Sequence, residues 1–409
     1  MHINGENISE NVPAPRSVDL ILSGLACYFF TSVLAIFGVM VGADFVKDGP
    51  RAPIQRSTGL LVFANFDGRG YCGIIENGYA YDPKVQSNVA YFPAVPLVAR
   101  FVSYLTGISS AESMLLVAHL CLAGVFVMMN FYMQERSAFT ASWVLIGMGL
   151  APLSFFFRMA YSESFFLLVT ITALFGMRRS WPVPVIALLV GLASATRPVG
   201  VALLAPFFMH IFVMEKTSKG SWLKCVSCLL LACWGILAYM LFQWLAFNDP
   251  LAFAKTQTHF RFHPPVSLGE QVISLITLEP IWSVYDPASP CYWQHQDAGA
   301  SVFFSVQFAN PIFFLMTIGL IVLGGINGWL NRYEILLAAG LLLIPYLTRS
   351  HEMCMGSMGR YAAVVFPVYL VAGQILARMP APAAVSVLAF SGFWMCIYAA
   401  LFASWHLVY

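Results

Sequence analysis

The chemistry in this chain rests on a few carboxylates and arginines. Asp67 lies in F-D-G-R-G, read here as a glycine-rich turn that exposes its side chain. Glu163 lies in Y-S-E-S, at the mouth of an apolar run. A carboxylate in such a place can act as general base on a hydroxyl. Arginines are natural partners for phosphate, because the guanidinium fork binds it bidentately and stays charged when partly buried. Both residue types together suit group transfer from a lipid phosphate, with an acceptor hydroxyl attacking and the lipid phosphate leaving. No Walker-type loop and no Rossmann fingerprint occurs, which disfavours a soluble nucleotide donor.

These residues must be positioned by membrane-embedded helices. The 409 residues are 59% hydrophobic and 10% charged, with a mean hydropathy of +0.76. A soluble domain carries about 25% charged residues. The fold class expected is therefore an all-α polytopic membrane protein. The apolar runs are too long and continuous for a membrane barrel. The formal net charge of +2 identifies no partner, and no nucleic acid is expected. The predicted spans are 19–43, 113–133, 139–157, 160–177, 183–197, 199–214, 225–247, 305–326, 333–348, 361–378 and 382–405. That is about eleven transmembrane helices, since each needs roughly 20 apolar residues. The pieces 183–197 and 199–214, parted by Thr196-Arg197-Pro198, read either as two short helices or as one broken helix. Residues 1–18 read as a polar cytoplasmic tail without a basic signal region, and 19–409 as one transmembrane domain.

Short loops set the orientation. Arg136, Arg178-Arg179, the group Lys216, Lys219 and Lys224, then Arg332 and Arg378 fall in alternate loops. With those loops cytoplasmic, an outer loop 44–112 and another at 248–304 share the opposite face. This requires that 89–107 does not cross. Its prolines and Arg100 favour an interfacial helix. The outer face then collects Asp67, Arg69, Glu76, Asp82, Arg158, Glu163, Arg197, Lys255, Arg261, Arg349, Glu352 and Arg360. Ionisable groups at membrane depth are expensive and usually functional; snorkelling and capping are the bland alternative.

Other motifs are weaker. Cys225 and Cys228 form a C-x-x-C that opens an apolar run without a second pair. An outer-face disulfide among Cys72, Cys291 and Cys354 is an open alternative. His259 and His263 would share a face on a helix, but Pro264-Pro265 ends any helix there. They are read as channel or interfacial residues rather than as a metal pair. Trp282, Tyr285, Tyr292 and Trp293 could stack on sugars or form an interfacial belt.

The stretch 66–96 resembles the first outer loop of the PIG-V type mannosyltransferases, the GPI mannosyltransferase II family with its prokaryotic relatives. Their pattern reads W-D-x-x-H-[FY]-x-x-I-A-x-x-G-Y and then A-F-F-P-x-x-P. Here Phe66-Asp67, Tyr71, Ile74-Ile75, Gly78-Tyr79, Ala90-Tyr91-Phe92-Pro93 and Pro96 take those places. Tyr161-Ser162-Glu163-Ser164, Ala195-Thr196-Arg197-Pro198-Val199-Gly200, Asn248-Asp249-Pro250-Leu251-Ala252-Phe253, and Ser357-Met358-Gly359-Arg360-Tyr361 with Phe366-Pro367 are similar to later segments, in order. The family tryptophan is Phe66 and the family histidine is Gly70.

The resemblance implies a GT-C fold with a catalytic first outer loop carrying interfacial helices. It implies an inverting hexosyl transfer, usually of mannose, from a polyprenyl-phosphate-linked donor to a hydroxyl of a lipid-linked or glycan acceptor in the bilayer. Asp67 would be the base. Arg69, Glu76, Tyr79, Glu163, Arg197, Arg360 and Tyr361 are the expected substrate- and donor-phosphate-binding residues. No cofactor and no obligatory metal is expected, because arginines can neutralise a phosphate leaving group. Divergence from the eukaryotic form points to a bacterial inner membrane over the endoplasmic reticulum, with the site on the periplasmic or luminal side. The competing class is a multi-pass transporter or flippase for a lipid-linked or anionic solute. Transporters of that kind carry broken helices in matching halves, and only the break at Arg197 is visible.

Overall fold

A computed structural model describes residues 16–49, 52–53, 57–134, 138–214, 222–297 and 299–406. Most of the polar tail, together with Arg136, Lys216 and Lys219, lies outside the described residues. Among the described residues every regular element is helical. Four helices are long and apolar enough to cross a membrane: Ser17–Phe45, Ser110–Tyr132, Val306–Ile326 and Ala381–Ala403. A fifth span arises if Val226–Ala232 and Trp234–Phe247, bent by 59°, are taken together. Side chains such as Val18, Leu22, Phe29 and Phe37 stand exposed along the first helix, as a lipid-facing surface requires.

The remaining expected spans are shorter or interrupted. The run 139–157 ends its helix at Leu150, ahead of Pro152, and resumes as a tight turn of helix at Ser154–Arg158. The run 361–378 divides into Met358–Ala363 and Pro367–Leu376, with Pro367 opening the second piece. Hydropathy reads through such breaks because prolines next to packed helices remain apolar. The 183–214 region is also broken. Val183–Thr196 ends at Arg197, and a 3-10 turn Pro198–Leu203 leads into Leu204–Met214. Segment 89–107 contains the helix Ala94–Thr106. At about 1.5 Å per residue it is too short to cross, and Leu97, Phe101, Tyr104 and Leu105 line its exposed side.

The bundle has two chemically distinct ends. Arg178 Nη1 donates to the Tyr132 carbonyl at 2.9 Å. Tyr132 Oη donates to Glu334 Oε1 at 2.7 Å. These contacts gather the far ends of Glu163–Arg178 and Ser110–Tyr132 with the start of Arg332–Pro345. Asp67, Glu163, Arg197 and Arg360 meet at the opposite end.

The first and last helices clasp that end. Gly38 and Gly42 lie one turn apart on Ser17–Phe45 and let Ala381–Ala403 press against it. A Cβ on Gly42 would lie 2.1 Å from the Ala400 carbonyl oxygen, and one on Gly38 2.6 Å from that of Cys396. Small residues allow such backbone approach in lipid, where packing rather than hydrophobicity drives association. A disulfide joins Cys291 to Cys354, tying the 248–304 loop to the turn before Arg360, while Cys72 is free. Gly42→Leu should abolish this contact. The variant is expected to lose the monodisperse peak in fluorescence-detected size exclusion, and a wild-type profile would refute the close packing.

Candidate functional site

Asp67 is the first residue of a helix, Asp67–Asn77, rather than part of a turn. The glycines that suggest a turn serve close packing within that helix. The preceding Phe66 has φ 53°, a strained conformation for a non-glycine residue. Its ring holds the strain in place, with centroids 5.4 Å from Phe402 and 4.7 Å from Trp405. Tyr161 braces the same turn. Its Oη accepts from the Asp67 N–H at 3.2 Å and donates to the Asn65 carbonyl at 3.1 Å. Asn65 is fully buried and donates to the carbonyls of Phe402 and Ala403 at 3.3 and 3.2 Å.

Glu163 opens the helix Glu163–Arg178 and is fully buried. Arg197 caps the break after Val183–Thr196. Arg360 lies on Met358–Ala363, reached through a turn in which Cys354, Met355 and Ser357 all have positive φ. Four distant segments thus bring four charges together. Arg360 Nη1 donates to Asp67 Oδ2 at 2.5 Å. Its Nε donates to Glu163 Oε1. Arg197 Nη1 pairs with the same Glu163 oxygen at 2.6 Å. The result is an alternating chain, Asp67–Arg360–Glu163–Arg197, with two charges of each sign.

Burial is graded along it. Side-chain exposure is 0% at Glu163, 8% at Arg197, 9% at Arg360 and 26% at Asp67. The cluster therefore opens to the exterior at Asp67. Aromatic faces complete the arginine sites: Arg360 lies 4.4 Å from the Tyr161 ring centroid, and Arg197 lies 5.7 Å from that of Tyr361. Among the described residues, Glu163 Oε2 is buried without a hydrogen-bond partner. Tyr71 donates to Ser162 Oγ at 3.0 Å, and burial pushes its phenol up to about 12, so it remains a donor.

Of the residues expected from sequence, Asp67, Glu163, Arg197, Arg360 and Tyr361 converge. The others stand apart. Arg69 donates to Ser57 Oγ at 2.9 Å and lies over the Trp405 ring. Glu76, at the far end of its helix from Asp67, is exposed and accepts from Ser110 Oγ. Tyr79 donates to the Tyr91 carbonyl at 3.0 Å, so it reaches the cluster only through Tyr91. His259 and His263 do not share a helix: the 3-10 turn ends at Phe260, and the His263 ring packs at a tilt against His351, centroids 4.0 Å apart. Trp293 is buried against Phe308, and Tyr285 donates to the Phe308 carbonyl, whereas Trp282 remains exposed. Sequence reasoning passed over Tyr91 and Tyr161, both of which touch Asp67. Both stand in segments similar to the family pattern, Tyr91 in A-Y-F-P and Tyr161 beside Glu163 in Y-S-E-S, and that likeness is the signal that could have found them.

Beside the charges lies an apolar cavity of about 430 Å³. Leu153, Phe313, Ala362, Leu376 and Leu388 line it, and Gly359, the neighbour of Arg360, forms part of its wall.

No protein-family model matches the sequence, and no curated protein matches it. Among solved structures the chain is similar to the crystal structure of ArnT from Cupriavidus metallidurans in the apo state. The superposition has a TM-score of 0.32 and 14% identity, covering 85% of this chain and 78% of that one. A TM-score that low is too loose to assign a fold.

Breaking a buried ion pair by neutralising one partner costs about 3–5 kcal/mol. Glu163→Gln keeps the volume but leaves Arg197 without its counter-charge. It should lower the thermal unfolding midpoint clearly, and an unchanged midpoint would show that the cluster is not under electrostatic balance.

Proposed function

We propose that this protein is a membrane glycosyltransferase of the GT-C type, similar to the PIG-V mannosyltransferases. In this reading it moves a sugar, mannose by the loop resemblance, from a polyprenyl-phosphate donor to a hydroxyl of a lipid-linked or glycan acceptor. The observation that carries the reading is the neutral Asp67–Arg360–Glu163–Arg197 chain, open at Asp67 and adjoining an apolar cavity. A base is needed at the solvent side, cations behind it, and apolar room for a lipid tail. The base and the cations lie at one end of the bundle, and the cavity reaches that end at Gly359.

The acceptor oxygen attacks the anomeric carbon of the sugar, and its proton passes to Asp67. The bond from the anomeric carbon to the phosphate oxygen breaks in the same displacement. Polyprenyl phosphate leaves with the electron pair. Arg360 and Arg197 take up the charge that develops on it. Glu163 holds both arginines in register, and its free Oε2 is available to a sugar hydroxyl. A single displacement inverts the anomeric centre. The apolar cavity, walled in part by Gly359, would receive the part of the lipid nearest the phosphate. We assign the site to the outer face of the membrane, the periplasmic face of a bacterial inner membrane in preference to the luminal face of the endoplasmic reticulum.

Asp67→Asn tests the base. Purified protein in lipid would be given polyprenyl-phosphate-mannose and a total lipid extract, with the product read by mass spectrometry. Removing a general base is expected to cost about 100-fold or more in rate, with folding intact by size exclusion. Full transfer by this variant would sink the assignment, and solute export without transfer would favour the transporter reading. In the same assay a chelator should leave the rate unchanged, and loss of activity would show that a metal takes part.

A further inference from the structure

Gly70 and Tyr91 are built against one another. Gly70 lies one turn after Asp67 on the same helix. A Cβ placed there would sit 2.4 Å from Tyr91 Cε2, 2.7 Å from Cζ and 3.0 Å from Oη. Carbon atoms pack at about 3.5–4.0 Å. No side chain fits at position 70 while Tyr91 keeps this position. The family pattern has a histidine here, and an imidazole has no room in this chain.

Tyr91 is fixed from several sides. Its ring lies 4.9 Å from that of Tyr71. Its carbonyl accepts from Tyr79 Oη at 3.0 Å and Tyr239 Oη at 3.2 Å. Its own Oη donates to Asp67 Oδ1 at 3.3 Å, while Arg360 occupies Oδ2. Each oxygen of the carboxylate therefore has one donor. Burial and then the Asp67 charge hold the Tyr91 phenol well above its ordinary value. It stays protonated, and so stays a donor, wherever Asp67 is ionised.

We propose that Tyr91 is the positioning residue of Asp67, and that Gly70 is the space kept clear for it. The role rests on the reading of Asp67 as the base. With Oδ2 held by Arg360 and Oδ1 by Tyr91, the carboxylate plane is fixed. The remaining lone pair of Oδ1, on the more exposed member of the cluster, faces the incoming hydroxyl. Tyr91 neither gains nor loses a proton: the acceptor's proton goes to Asp67, and the phenol continues to donate. The polar group beside the base then comes from position 91 of the second loop segment rather than from position 70 of the helix.

The test needs no knowledge of the acceptor. Full-length protein in lipid nanodiscs is treated with a water-soluble carbodiimide and glycinamide, which label protonated carboxyl groups. Labelling at Asp67 is followed against pH by peptide mass spectrometry, with the exposed Glu270 as internal reference. Tyr91→Phe keeps the ring and removes one donor to the carboxylate. The pH of half-labelling at Asp67 should rise by about half a unit or more. Gly70→Ala pushes the ring away and should give a similar rise, and Gly70→Ala with Tyr91→Phe should add nothing further. Half-labelling unmoved in Tyr91→Phe overturns the proposal, as does a full second shift in the double variant. If Gly70→Ala fails to fold, Tyr91→Phe decides alone. Transfer retained by Asp67→Asn would sink the base itself, whereas an unmoved Tyr91→Phe sinks only the positioning role.

Discussion

Arg360 sits between Asp67 and Glu163, and the arrangement of this end of the bundle follows from that one contact. A guanidinium with almost no exposure requires negative charge beside it. One carboxylate comes from the helix after the first long span, the other from the helix Glu163–Arg178. Glu163, buried in turn, shares Arg360 with Asp67, and Arg197 supplies it a second cation. The chain of charges cannot be completed by fewer segments, because each contributes a single ionised group. Closing the bundle and completing the site are therefore the same event. A hydrophobic replacement could be as stable as such a buried network, so stability alone does not account for the four charges.

Both ends of the central pair are delivered by strained backbone. Phe66, before Asp67, has positive φ, as do Cys354, Met355 and Ser357 before Arg360. Such residues cost about 1–3 kcal/mol each and persist only where the surroundings over-determine them. On the Asp67 side the surroundings are Phe402, Trp405 and the Tyr161 hydroxyl. On the Arg360 side they are the Cys291–Cys354 disulfide, Gln307 donating to the Cys354 carbonyl, and Asn310 accepting from the Gly359 N–H. The 261–263 segment adds a further clamp, with the N–H groups of Phe262 and His263 both directed at the Glu352 carbonyl. The second outer loop thus bears on the site through the turn that carries Arg360.

The four charges were legible in the sequence because ionised groups are scarce in an apolar chain. Where charge is rare, each instance narrows the choice, and Asp67, Glu163, Arg197 and Arg360 stood out for that reason. The same logic overreached at Arg69 and Glu76. Sequence proximity to Asp67 does not decide which way a helix face points. Asp67 itself was read in a turn because F-D-G-R-G has turn composition, whereas tertiary packing makes the segment helical. Helix breaks at Leu150 and between Ala363 and Pro367 were invisible to hydropathy, which measures composition rather than backbone continuity. Tyr91 was hidden for a different reason. Its contact with Asp67 depends on the room left at Gly70, twenty-one positions earlier; the sequence shows a glycine in place of the family histidine but not which side chain fills the space.

In the proposed transfer, the neutrality of the cluster has a consequence for how the reaction is timed. Before substrate binds, Arg360 is shared between carboxylates, which keeps it from acting as a free phosphate site. A donor phosphate beside Arg360 and Arg197 competes for the same guanidinium protons. As Arg360 turns toward the phosphate, Asp67 loses part of its cation and gains a nearby negative charge. Asp67 is therefore released from its ion pair when the donor is in place, and is held in it when the donor is absent. Tyr91 still donates to Oδ1 through that change, so the carboxylate keeps one of its two anchors while Arg360 serves the phosphate. Donor binding and release of the base are then linked through a single side chain, Arg360.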